Sequence, residues 1–205
     1  MRTAFLLVLL FLLSTLAITP SPVAADAASE SVRDITGRKI RSGVDYYILP
    51  VVRGRGGGLT VGSSRNGTCL LDVVQEQYEV SNGLPLTFSP VNPKEGVVRL
   101  SSDLNIKFSA ATICVQSTVW TLANFDETVG QYFVTTGGVE GNPGRETVSN
   151  WFKIEKYEDD YTLLFCPTVC SFCKVICRDI GIFLVDGTRH LALSDVPFKI
   201  MFKKA

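Results

Sequence analysis

Short stretches rich in Val, Ile, Thr, Tyr and Phe, separated by turn residues from Ile48 onward, predict an all-β protein. Two observations agree with this. No long segment keeps a helical period, and clusters of Gly, Asn, Asp and Ser recur between the apolar stretches. Twelve candidate strands fit a closed barrel with hairpin caps.

The first candidate, Tyr46 to Val52, leads into Gly54-Arg55-Gly56-Gly57-Gly58 and then into Leu59 to Val61. Val73 to Gln75 follows, and Ser81-Asn82-Gly83 turns the chain toward Leu86 to Phe88. Val97 to Leu100, Asn105 to Phe108, Val119 to Leu122 and Tyr132 to Thr135 continue the series. Gly137-Gly138 and Gly141-Asn142-Pro143-Gly144 separate these from Trp151 to Lys156 and Tyr161 to Phe165. Gly181 to Val185 runs into the turn cluster Asp186-Gly187, and Phe198 to Phe202 closes the set.

The N-terminus sets the redox context. Arg2 precedes the apolar run Ala4 to Leu13, and Val23-Ala24-Ala25 before Asp26 offers the small residues a signal peptidase accepts. Residues 1–25 are therefore expected to be a secretory leader, 26–31 a frayed tail, and 32–205 one domain. In an oxidising route six cysteines read as a disulfide framework rather than a metal site, and His190 alone would offer nitrogen to zinc. Six cysteines allow many pairings. Spacing favours a small Cys170–Cys173 ring inside a Cys166–Cys177 ring, which leaves Cys69 for Cys114. Asn66-Gly67-Thr68 is a sequon, which makes Asn66 a candidate glycan site.

Charge narrows the partners. With 20 Lys+Arg against 20 Asp+Glu, the chain has no basic excess for nucleic acid or a membrane surface. Beyond the leader no apolar run is long enough to span a bilayer. Catalysis is hard to build, because the one imidazole, His190, stands far in sequence from a convincing nucleophile. Asp159 and Asp160 are adjacent and read as a solvated pair. Cys170-x-x-Cys173 lacks the βαβ unit that goes with a redox motif. The glycines from 54 to 58 are followed by neither a helix pattern nor Gly-Lys-Ser/Thr, so they read as a hairpin loop. Trp120 and Trp151 sit in β-type apolar runs and read as core. No enzyme, cofactor or metal is expected.

Ser89 to Gly96 differs from the other connections, because Pro90 and Pro93 restrict a polar segment between two strands. A stiff exposed loop suits recognition. Held in its bound conformation, such a loop can enter a protease cleft with little loss of ordering entropy, but the residues alone favour the alternative, an ordinary proline-bearing turn.

From about Val32 to Lys204 the chain resembles the plant Kunitz (soybean trypsin inhibitor) family, and more closely its miraculin-like branch. The residues that carry the resemblance include Asp34-Ile35-Thr36-Gly37, Tyr46-Tyr47-Ile48-Leu49-Pro50, Gly56-Gly57-Gly58-Leu59-Thr60-Val61 and Asn92-Pro93-Lys94-Glu95. Ser101-Ser102-Asp103-Leu104-Asn105-Ile106, Gly130-Gln131-Tyr132-Phe133, Trp151-Phe152-Lys153-Ile154, Phe165-Cys166-Pro167 and Leu191-Ala192-Leu193-Ser194-Asp195 complete it. The resemblance implies a β-trefoil of twelve strands and the pairings Cys69–Cys114, Cys166–Cys177 and Cys170–Cys173.

It also implies a reactive loop at 89–96, with Val91, Asn92, Pro93 and Lys94 entering a serine-type endopeptidase. Trypsin-directed members place Arg or Lys before the scissile bond, where this chain has Asn92 followed by Pro93. Sliding the register brings Lys94 to that position with Glu95 after it. The family's loop-supporting asparagine corresponds to Ser42, whose shorter side chain reaches fewer carbonyls. The interchain cysteine of the miraculin-like branch corresponds to Lys156, and two histidine positions to Arg55 and Asn82. These departures predict a monomer without an interchain disulfide and without acid-triggered taste modification. The expected function is a secreted protease inhibitor, weak against trypsin. The alternative is a non-inhibitory defence or seed-storage protein on the same fold. Carbohydrate binding lacks a Gln-x-Trp repeat to support it.

Overall fold

The computed structural model describes residues 29–65, 69, 71–111 and 116–205. The expected leader, Asn66 and Cys114 lie outside them. The described residues run through twelve strands in three successive groups of four. The first group is β1 (Tyr46–Pro50), β2 (Leu59–Gly62), β3 (Asp72–Gln75) and β4 (Leu86–Pro90). The second is β5 (Leu104–Phe108), β6 (Thr121–Leu122), β7 (Val134–Thr135) and β8 (Lys153–Tyr157). The third is β9 (Asp160–Phe165), β10 (Arg178–Val185), β11 (Thr188–Ser194) and β12 (Ile200–Lys204). A 3-10 turn, Arg145–Asn150, precedes β8.

The outer strands of each group make a ring. β1 pairs with β12 and β4, β4 with β5, β8 with β9, and β9 with β12. Reciprocal hydrogen bonds of 2.9 Å between Leu104 and Phe152 join β5 to the start of β8 and close it. The inner strands form three hairpins, β2–β3, β6–β7 and β10–β11. β3 pairs with both β7 and β11, and a Phe133–Ala192 bridge joins the remaining two, so the hairpins cap one end of the barrel. This is a β-trefoil.

Strand patterning explains the barrel core. In β4 the buried Leu86, Phe88 and Pro90 alternate with the partly exposed Thr87 and Ser89. Two aromatic chains fill the interior. One runs Tyr46–Phe88–Phe202–Tyr161 with ring centroids 6.2, 5.6 and 5.6 Å apart. The other runs Phe108–Trp120–Phe152–Phe165 at 5.6, 6.1 and 5.6 Å. Trp120 and Trp151 are both buried, as their apolar surroundings predict.

Three expectations change. Val97 to Leu100 is not a strand: Arg41–Val97 and Ser31–Arg99 make isolated bridges, because the partner segment 31–41 turns back on itself too tightly to sustain a ladder. Thr188 to Ser194, unmarked as a strand, is the seven-residue β11. Residues 29–31 are not frayed, since Leu100 N–H donates to Glu30 O at 2.8 Å and the Arg99 guanidinium to Ser29 O at 2.9 Å.

Two sequence motifs acquire physical reasons. Asp34 Oδ1 accepts from the Thr36 N–H (2.8 Å), the Thr36 hydroxyl (2.6 Å) and the Arg38 N–H (3.0 Å), which fixes the Asp-Ile-Thr-Gly turn. The triple glycine presses its backbone against loop 76–83, with Gly57 N–H donating to Glu76 O at 2.8 Å and Gly58 N–H to Ser81 O at 2.9 Å. A Cβ at Gly57 or Gly58 would collide with carbonyls of that loop, so these glycines serve close packing rather than phosphate binding.

Candidate functional site

The loop between β4 and β5 leaves the barrel at Pro90 and presents Asn92, Pro93 and Lys94 to solvent, while Val91 and Glu95 are half-buried. Its tip is a tight turn. Asn92 O accepts from Glu95 N–H at 3.0 Å, and Asn92 Oδ1 accepts from Lys94 N–H at 3.2 Å. Proline supplies no N–H at 93. Three successive main-chain positions, 93 to 95, therefore offer no free N–H in this conformation.

Support for the loop comes at its ends rather than its tip. The Ser42 hydroxyl donates to Phe88 O at 3.2 Å, within β4, and Ser42 N–H donates to Gly96 O at 3.3 Å. Gly43 N–H also donates to Phe88 O, at 3.2 Å. No side-chain bond from Ser42 reaches residues 91–94 among the described residues. Glu95 buries one carboxylate oxygen that has no hydrogen-bond partner among them.

Residues that sequence reasoning missed hold the loop's entry. Val91 N–H donates to Asp103 O at 2.8 Å, and the buried Asp103 carboxylate accepts from Thr168 N–H (3.0 Å) and the Thr168 hydroxyl (2.5 Å). Lys153 Nζ stands 3.9 Å from the same carboxylate. One residue thus ties the loop to the base of the cysteine-rich segment. On the other flank, the Ser89 hydroxyl donates to Glu140 at 2.5 Å and Lys107 Nζ lies 3.3 Å from the same carboxylate. The Ser89 bond holds the Glu140 carboxyl below its ordinary value, partial burial works the other way, and Lys107 adds to the lowering. The polar Asp103 and Asn105, interleaved with Leu104 and Ile106, were the available signal: both are buried, and Asn105 bonds Gly141 N–H and Asn150 O.

Elsewhere, Cys166 is bonded to Cys177 and Cys170 to Cys173, so the rings are nested. Cys69 is disulfide-bonded as well, and Cys114 lies outside the described residues. His190 is buried in the hairpin cap, its Nδ1 3.2 Å from Asp72 Oδ2. The Arg65 guanidinium approaches the same oxygen at 3.2 Å and lies 3.3 Å above the Phe133 ring. The imidazole is packed beside the internal Arg65–Asp72 ion pair. Lys156 donates to Asp159 O at 2.8 Å across the β8–β9 turn.

The legume Kunitz family, described as trypsin and protease inhibitors, matches residues 32–204. The chain belongs to this Kunitz family. It is 56% identical over 199 residues to Kunitz trypsin inhibitor 5 of Arabidopsis thaliana, covering 97% of this chain and 98% of the relative. Miraculin of Synsepalum dulcificum is 54% identical over 204 residues, covering 95% and 93%. Among solved structures, a Kunitz-type cysteine protease inhibitor from potato superposes with a TM-score of 0.75 at 31% identity, covering 86% of this chain and 98% of that one. No helix among the described residues is long and apolar enough to cross a membrane.

Proposed function

We propose that this protein is a secreted, monomeric Kunitz inhibitor that occludes a serine-type endopeptidase with loop 89–96, through Val91, Asn92, Pro93 and Lys94. The observation that carries this reading is the loop's position: exposed at its tip, and anchored at both ends by Ser42 and Asp103. It acts by occupying a cleft, without chemistry of its own. Inhibition of trypsin is weak, because trypsin's acidic specificity pocket requires a cation where this loop offers Asn92.

The engaged tip favours a second reading. An inhibitor pairs with its protease as an added strand, through main-chain donors and acceptors. Here the N–H groups of Lys94 and Glu95 bond within the loop and Pro93 has none. A defence or storage protein that retains the fold without a working loop would show this geometry. Titration of the oxidised protein against trypsin, chymotrypsin, subtilisin and a papain-like protease, with mass spectrometry of the loop, separates the two. Stoichiometric inhibition with the loop intact or reversibly cut between Val91 and Glu95 supports the inhibitor. Inertness toward all four sinks it. Inhibition of the papain-like enzyme alone retains an inhibitor but removes the serine-type target.

A further inference from the structure

A groove on the outer face of the hairpin cap, remote in sequence from loop 89–96, has the composition of a ligand site. Ile182 and Leu184 are two residues apart on β10 and so share one face of the strand. Segment 195–199 crosses beside them, tied by Phe198 N–H to Ile180 O at 2.9 Å. Val196 on this segment, Val52 beyond β1 and Tyr157 line the same groove. The cavity measures about 610 Å³ and exposes three aliphatic side chains: Leu184 is 61%, Val196 75% and Val52 47% exposed. That volume matches small-molecule sites, which pair an apolar lining with a few placed polar groups.

The polar groups here are cationic. Arg55, Arg189 and Lys199 all line the groove. Arg189 stands opposite Leu184 in the β10–β11 register and is aimed by its Nε–H bond to Gln75 Oε1 at 2.7 Å. Lys199 lies 5.0 Å above the Tyr157 ring and is paired with Glu158. Arg55 and Arg189 have no ion-pair partner among the described residues. An apolar trough rimmed by two unneutralised guanidinium groups complements a molecule with a hydrocarbon body and an anionic head.

We propose that this groove binds a small amphipathic anion, an alkyl or aryl body carrying a carboxylate or sulfonate. The body lies against Leu184, Val196 and Ile182, and the head meets Arg55 and Arg189.

The test is a fluorescence titration of the oxidised protein with anilinonaphthalene sulfonate, followed by displacement with dodecanoate and with the equally long dodecyltrimethylammonium. One saturable site is expected, displaced by the anion and not by the cation. Arg55→Glu should weaken it by about tenfold, the scale of one charge-assisted contact. Leu184→Asp should abolish it. Both side chains are exposed on the surface, so thermal unfolding is the check that the variants remain folded. Absence of a saturable site, equal displacement by either amphiphile, or unchanged affinity in both folded variants would overturn the assignment.

Discussion

Asn92 does two things that oppose protease binding: its carbonyl closes the turn on Glu95 and its side chain occupies the Lys94 N–H. Arginine at 92 would release the Lys94 N–H and supply the cation that trypsin selects, while isoleucine at 93 would restore an N–H. The double variant Asn92→Arg/Pro93→Ile should therefore inhibit trypsin at least tenfold more tightly than the parent, about 1.4 kcal/mol in binding. An unchanged inhibition constant would show that the loop meets proteases in another register, or not at all. Asp34 makes a second residue-scale case. Burial opposes ionisation of its carboxyl, but the bonds from Thr36 and Arg38 outweigh it and leave the group below its ordinary value of 3.8. A depressed carboxyl stabilises the fold above its unfolded value and loses that contribution as pH falls through the folded one. Asp34→Asn keeps an acceptor at Oδ1 without the charge, so its stability should fall less steeply than the parent's below about pH 4. Melting temperatures measured through the acid range decide this, and parallel curves would contradict it.

At the scale of elements, the segment after β9 depends on covalent closure. Residues 171, 172, 174 and 176–178 are exposed, so the Cys166–Cys177 bridge and the Asp103–Thr168 bonds replace the core contacts that the segment lacks. The double variant Cys166→Ser/Cys177→Ser should lose about 2–3 kcal/mol of unfolding free energy, as expected for an 11-residue separation. A denaturant midpoint equal to the parent's would mean that the hydrogen bonds alone suffice. Strands with local alternation, such as β1 and β4, were legible in the sequence because their pattern needs no knowledge of partners. β11 was not, because Arg189 and His190 break its apolar run. The partners that hold the half-buried Arg189 and the buried His190, Gln75 and Asp72, lie more than a hundred residues away in sequence. Val97 to Leu100 has the right composition for a strand but lacks a partner of sufficient length. That residues 89–96 make an exposed connection between two strands was legible from the two prolines and the polar composition. Asp103 and Glu140 were not, since their bonds to Thr168 and Ser89 span 65 and 51 residues.

At the scale of the molecule, the barrel and the cap carry different loads. The ring of six outer strands closes at Leu104–Phe152, and Phe152 also stands between Trp120 and Phe165 in the inner aromatic chain. Truncating it removes ring contacts on two sides at the seam of the barrel, where neighbours fixed in closed ladders cannot collapse into the space. Phe152→Ala should therefore cost about 3–5 kcal/mol. Leu184 is exposed on the cap, and Leu184→Ala should change stability by no more than about 0.5 kcal/mol. Chemical denaturation of the two variants beside the parent measures the contrast. A small loss at Phe152 would imply that the seam opens without global unfolding. A large loss at Leu184 would place the cap's outer face, and the groove on it, inside the folding core rather than on a surface free to bind.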